Sequence, residues 1–409
     1  MARLAWLSML LCACDPAPPP DAGLDAGFDA GSPPPRLRAG VATVDITPEP
    51  GIDIVGYGTR ASTSVRDPLE ASVLVLRGGS ARAVLVTVDL PGVADWYAEQ
   101  LRGRVAIAAG VGYEDVVVAA SHTHSAPLLG DDAWSARTMD AIGDAARRAA
   151  ASLTPVRVGL GEGRIDFDVN RRLLVDGVVE ARANPDGPRD PRVRTLVLEG
   201  DDGLVALVSH VVCHPNALLG EESTRISADF PGEARALLRA RHGAPWLVVI
   251  GPAGDVRPDL RDADGAIRLA DDADLARLGA ELAEAVTAGV DDAVAVDGPL
   301  ATTRASWTTP TRTEGARVLD LAVWRIGPVA IVTMPGEPFV EVGLATERPL
   351  LAAGAEHALV VGYANGYASY FVTPEAEALG GYEVRQSSLS AASVTAMEAR
   401  AVELGASLF

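Results

Sequence analysis

From Val41 onward, short β-branched runs alternate with stretches rich in Ala, Leu, Glu and Arg at helical spacing. That alternation restricts the chain to architectures in which helices cover sheets. Val41–Ile46, Ala71–Leu76, Ala83–Leu90, Asp115–Ala120, Leu204–Val212, Trp246–Ile250, Leu319–Ile326 and Val329–Met334 read as strands, with His357–Tyr363 a further, less regular one. Helical patterns cover Asp95–Ala109, Ala133–Ser152, Pro231–His242, Asp272–Ala288, Phe339–Ala353 and Leu389–Leu404. The expected fold class is α/β, with a mixed β-sheet core and flanking helices in one large domain, residues 38–409. Hydrophobic residues make up 48% of the chain, enough to fill such a core. No repeat of fixed period is visible.

The first residues read as a targeting segment. Met1-Ala2-Arg3 is a short positive start, and Leu4 to Leu11 is apolar but too short to span a bilayer. Leu11-Cys12-Ala13-Cys14 then resembles a bacterial lipobox, so residues 1–14 are expected to be a lipoprotein signal with Cys14 the lipidated residue. An ordinary signal peptide is the alternative. Residues 15–37 are rich in Pro, Asp, Ala and Gly and are expected to be a disordered tether. The expected location is the bacterial cell envelope, with membrane association through the anchor. Only Cys213 then remains in the folded region, so no internal disulfide is available there.

Charge narrows the chemistry. The formal net charge is −20, which repels nucleic acid, and no basic patch with interleaved aromatics offsets it. Every basic residue is Arg. Without Lys there is no Schiff-base chemistry and no P-loop. No G-x-S-x-G elbow marks a serine hydrolase. The composition says nothing about oligomeric state.

The candidates for catalysis are histidines, carboxylates and a run of tyrosines. Four of the six His fall in two clusters: His122 and His124 beyond the strand ending at Ala120, and His210 and His214 around the end of Leu204–Val212. Sites in α/β sheets collect beyond the C-terminal ends of strands. Residues two apart at an extended strand end point to one side, so His122 and His124 can serve one metal, or divide metal binding from proton transfer. A structural His pair is the plain alternative. His210 lies within its strand and reads as structural. Cys213 reads as a small buried residue, and Pro215 turns the chain so that His214 falls on a loop. Glu337 follows a Pro335-Gly336 turn at a helix start; it reads either as a helix-start carboxylate or as a zinc ligand. Four of the seven Tyr fall between Tyr363 and Tyr382, beside Gly and Asn.

Together these segments resemble the neutral/alkaline, non-lysosomal ceramidase family. The resemblance rests on Asp45-Ile46-Thr47, Gly56-Tyr57, Ser121-His122-Thr123-His124-Ser125, Asn170-Arg171, Cys213-His214-Pro215, Gly254-Asp255-Val256 and Pro335-Gly336-Glu337. It continues through Ala364-Asn365-Gly366-Tyr367, Tyr370, Thr373-Pro374-Glu375 and Tyr382. It implies one zinc ion per chain held by His122, His214, Glu337 and Tyr370. It implies that His124, Arg171 and Tyr382 line the reaction centre. Family members hydrolyse the amide of ceramide to a fatty acid and sphingosine, so the expected partner is a lipid or small-molecule N-acyl amide. Full-length members carry a C-terminal immunoglobulin-like domain; this chain is read as the catalytic part without one. The segment after His124, Ser125 to Leu129, departs from the family's glycine-rich run. A zinc hydrolase of another ester or phosphoester bond, or a non-catalytic surface lipoprotein, are the alternatives.

Overall fold

The strand–helix alternation resolves into one topological motif used three times. A computed structural model describes residues 37–218, 223–262, 266–313 and 315–409. The expected signal and tether lie outside them, apart from Leu37. In the first sheet β1 (Arg38–Asp45), β2 (Glu70–Gly78) and β3 (Ala81–Val88) run antiparallel; α1 (Asp95–Ala109) then crosses over to β4 (Val116–Ala120), parallel to β3. The second sheet repeats this. β5 (Arg157–Arg164), β6 (Arg192–Gly200) and β7 (Gly203–Val211) are antiparallel, and a crossover carrying the helix Asp229–His242 leads to the parallel β8 (Trp246–Ile250). In the third, β9 (Leu300–Pro310), β10 (Ala316–Ile326) and β11 (Val329–Thr333) lead through the helix Val340–Ala352 to the parallel β12 (His357–Val361). The sequence shows no matching repeat, because different apolar residues fill equivalent places.

Helices cover the outer faces: α1 and α2 (Ala133–Ala151) on the first sheet, α3 (Asp229–His242) and α4 (Asp272–Asp291) on the second, α5 (Val340–Ala352) and α6 (Ala391–Ala406) on the third. The inner faces share one apolar core, in which Leu85 and Val117 meet Leu196, Val208 and Val249 from the second sheet and Trp324, Ile326 and Leu359 from the third. Strands with both faces buried must be apolar throughout. β4 and β8 are so buried along their whole length, and they were legible for that reason.

The longer strands that escaped sequence reading are β5, β6, β9 and the hairpin Asp168–Val175/Val178–Asn184. β5 alternates Gly and polar residues with apolar ones, and β9 is half-exposed and rich in Thr. Gly161 and Gly163 are required because α4 lies directly on β5. A Cβ at Gly161 would sit 1.9 Å from the Gly289 carbonyl oxygen, and one at Gly163 1.9 Å from that of Ala285.

The parallel strands end side by side. The Gly362 N–H donates to Ile250 O at 2.9 Å, joining the third sheet to the second. The Asn365 N–H donates to Val118 O at 2.8 Å and the Asn365 side chain accepts from the Val118 N–H at 3.0 Å, joining it to the first. Three loops, following β4, β7 and β11, therefore open onto one place. Among the described residues no helix is long and apolar enough to cross a membrane.

Candidate metal centre

His122 leaves β4, His214 leaves β7 and Glu337 leaves β11, and their side chains meet. The His122 Nε2 lies 3.3 Å from the Glu337 Oε2 and 3.3 Å from the His124 Nε2; the His214 Nε2 lies 2.9 Å from the His124 Nε2 and 3.9 Å from Glu337. All four residues are buried. The expected same-side placement of His122 and His124 is found, but not through an extended strand end. His122 has φ 62°, a left-handed turn. Tyr363, Asn365 and Ser369 around the site are also left-handed. Each such non-glycine residue costs on the order of 1–3 kcal/mol, so the surrounding hydrogen bonds hold a strained arrangement together.

The ring nitrogens define what the cluster accepts. The His122 Nδ1 bonds the Pro91 carbonyl and the His214 Nδ1 the Ala253 carbonyl at 3.2 Å. A carbonyl only accepts, so both Nδ1 atoms carry a proton, and in the neutral rings both Nε2 atoms present lone pairs inward. Glu337 Oε2 faces them with no hydrogen-bond partner. Bare nitrogens and an ionised oxygen converging in a buried place repel one another unless a cation lies between them. The residues present fit a metal ion, and His122, His124 and His214 can hold one.

Electrostatics favour the ligand forms. Burial, with the Arg171 guanidinium nearby, holds His124 and His214 well below the ordinary imidazole value, so both are neutral. Burial raises the Glu337 carboxyl, while the Tyr367 hydroxyl and the Arg171 guanidinium act the other way, and it lies below its ordinary value. Tyr367 donates its hydroxyl to Glu337 Oε1, which turns Oε2 towards the histidines.

The remaining expected residues surround this cluster. Arg171 Nη2 donates to the Tyr370 hydroxyl at 3.1 Å and to the Gly254 carbonyl at 2.6 Å, while its Nε donates to Glu383 at 2.9 Å. Burial and the nearby Glu337 carboxylate push Tyr370 well above the ordinary phenol value. Tyr382 is 48% exposed and meets Tyr370 edge-on, ring centres 6.0 Å apart. A cavity of about 360 Å³ opens beside His122, His124 and Glu337, walled by Tyr367, Tyr370, Tyr382, Leu128, Val55 and Gly56. His210 is structural as expected, bonding Val360 O at 2.7 Å, and Cys213 is buried.

Two functional neighbours had no role legible in sequence. Tyr367 belongs to the tyrosine run but only packing shows that it holds Glu337. Glu383 is buried and accepts from both Arg171 and Arg172; nothing in its sequence context separates it from a surface helix glutamate.

The fold is that of the neutral ceramidases. The crystal structure of neutral ceramidase from Pseudomonas aeruginosa superposes with a TM-score of 0.76 at 20% identity, covering 91% of this chain and 74% of that one. A ceramidase complexed with C2 gives the same TM-score and identity, covering 91% and 75%. No family model and no curated relative matches the sequence.

Proposed function

We propose that this chain is a zinc-dependent hydrolase of N-acyl amides, acting on ceramide or a related N-acyl lipid to release a fatty acid and an amine. The observation that carries this reading is the convergence of two bare imidazole nitrogens and the orphaned Glu337 Oε2 beside a cavity large enough for an acyl amide. The fold shared with ceramidases supports it.

His122, His214 and Glu337, with Tyr370 as fourth donor, would hold the ion; zinc so held polarises a carbonyl and brings bound water near neutrality for deprotonation. Arg171 stays charged and cannot act as a base. Clamped by Glu383, it fixes the Tyr370 hydroxyl and holds positive charge next to the reacting carbonyl. The half-exposed Tyr382 supplies a hydroxyl donor for the oxygen on which charge develops. His124, neutral and with its Nδ1 unpartnered, is the group free to carry a proton at Nε2 to the leaving nitrogen.

The test is elemental analysis of the purified chain, with turnover of N-acyl amides, esters and phosphodiesters. About one zinc per chain, lost in His122→Ala but retained with much reduced turnover in His124→Ala, is the expected result. Equal zinc and equal activity in both variants would overturn the division of roles. Cleavage of esters or phosphodiesters alone would replace the amide substrate.

The reading extends to the chain's location. Residues 1–14 act as a lipoprotein signal, Cys14 carries the lipid and residues 15–37 tether the folded part to the cell envelope. A Cys14→Ser chain should then leave the detergent phase in Triton X-114 partitioning; retention there would refute the anchor.

A further inference from the structure

Among the described residues five arginines are buried, and four have a carboxylate: Arg102 with Asp320, Arg171 with Glu383, Arg194 with Glu347 and Arg235 with Asp89. Arg257 is the exception. It is 4% exposed, and its Nε makes one long contact of 3.4 Å to the neighbouring Pro258 carbonyl. Its Nη2 has no partner. Asp229, a carboxylate that acts on it electrostatically, accepts instead from the backbone N–H groups of Leu218 and Phe230.

Other unsatisfied donors lie close by. Arg60 bonds the Ser223 carbonyl at 2.6 Å and the His124 carbonyl at 2.8 Å, yet its Nη1 is unpartnered. Asn216 is 0% exposed, and its side-chain amide lies against Tyr57 without a hydrogen bond of normal geometry on either atom. The backbone gathers these groups at the histidine cluster. The Asn216 N–H donates to His214 O at 2.8 Å, and the His214 N–H donates to Val256 O at 3.1 Å, one residue from Arg257. The Tyr57 ring lies 4.8 Å from that of His124. Arg60 and Arg257 both act electrostatically on His124.

A buried guanidinium that no carboxylate contacts is destabilising. Uncharged replacements of similar size would pack as well, so the arrangement is explained by a ligand that brings the missing charge. We propose that Arg60, Asn216 and Arg257 form an anion subsite abutting the histidine cluster, and that it takes a carboxylate. This rests on the amide-hydrolase reading for the further assignment that the carboxylate belongs to the substrate. The subsite adjoins His124, the proton carrier to the leaving nitrogen, so the carboxylate sits on the amine half. The substrate class is then N-acyl amino acids. Water adds its oxygen to the acyl carbon, the C–N bond breaks, the nitrogen takes the proton, and the amino acid departs with its carboxylate unchanged.

Two measurements test this. The first needs no catalysis: melting temperature of the purified chain against acetate and against an N-acylglycine at constant ionic strength. The expected result is a saturable rise with both, absent in Arg257→Met. In anion-free buffer Arg257→Met should melt higher than the wild type, where a purely structural arginine would make it melt lower. Arg60→Gln, at a half-buried position, gives the same reading of anion response if Arg257→Met fails to fold. The second is the ratio of kcat/KM for an N-acylglycine to that for the N-acylethanolamine of the same acyl chain. It should exceed 10-fold and fall about 10–100-fold in the variants, as expected for loss of charge-assisted hydrogen bonds. No anion response, with Arg257→Met destabilised, would overturn the subsite. An acetate response with a ratio near one would assign the site to a free anion and overturn the substrate class. An anion response in a zinc-loaded chain that hydrolyses neither amide would overturn the hydrolase reading and the substrate class with it, while supporting the subsite.

Discussion

Tyr367→Phe isolates one hydrogen bond of the candidate metal centre. The Tyr367 hydroxyl donates to Glu337 Oε1, while its ring lies near-parallel to His122 with centres 6.1 Å apart and against Gly92. Phenylalanine keeps the ring and its packing, so only the donor is lost. A hydrogen bond to a charged group contributes about 1.5–3 kcal/mol. Glu337 is buried, and no water replaces the donor at no cost. Without it the carboxylate rotates more freely, and Oε2 no longer points by default at the His122 and His214 nitrogens. If that orientation serves metal binding, the lost energy comes out of the affinity, and about 1.5–3 kcal/mol corresponds to a weakening of roughly 10–100-fold. The assay is competition for zinc with a chromogenic chelator at neutral pH, alongside His122→Ala as the ligand-loss reference. Tyr367→Phe should fall between wild type and His122→Ala. An affinity equal to wild type would refute the argument that Tyr367 orients a ligand, and one as weak as His122→Ala would mean that Tyr367 is itself a ligand.

Glu383→Gln should be expensive for the fold as well as for the site. It leaves the buried Arg171 and the half-buried Arg172 without their shared carboxylate, a loss of about 3–5 kcal/mol by denaturant unfolding; a change under 1 kcal/mol would show that the pair is not the clamp described. Glu398 on α6 gives a pH test away from the site. Burial pushes its carboxyl up to about 7 from an ordinary 4.5. The folded state then holds the proton more tightly than the unfolded one, so its contribution is present below about 4.5 and is lost as pH rises towards about 7. Allowing for solvent screening of a partly exposed group, Glu398→Gln should gain about 1 kcal/mol on wild type between pH 5 and pH 8; parallel stability profiles would rule this out.

The reach of the sequence is clearest where one physical rule acts alone. Val116–Ala120 and Trp246–Ile250 are buried on both faces and had to be unbroken apolar runs. The six long helices had to bury one side, and each was placed within a few residues of its observed ends; the short helices Pro374–Leu379 and Tyr382–Gln386 were not. The order of His122, His214, Glu337 and the tyrosines along the chain was legible because each follows such an element. The strands Arg157–Arg164 and Leu300–Pro310 were not, because a Gly-rich or Thr-rich strand takes its conformation from its neighbours rather than from its own side chains. Tertiary structure alone decided three further things. It brought the ends of three parallel strand pairs to one point, joining residues more than 200 positions apart. It selected the tautomers of His122 and His214 through the carbonyls of Pro91 and Ala253, which no local pattern announces. It also separated Arg171, which has its carboxylate, from Arg257, which has none. All arginines look alike in a sequence, since a charge acquires its meaning only from what lies within a few ångströms of it.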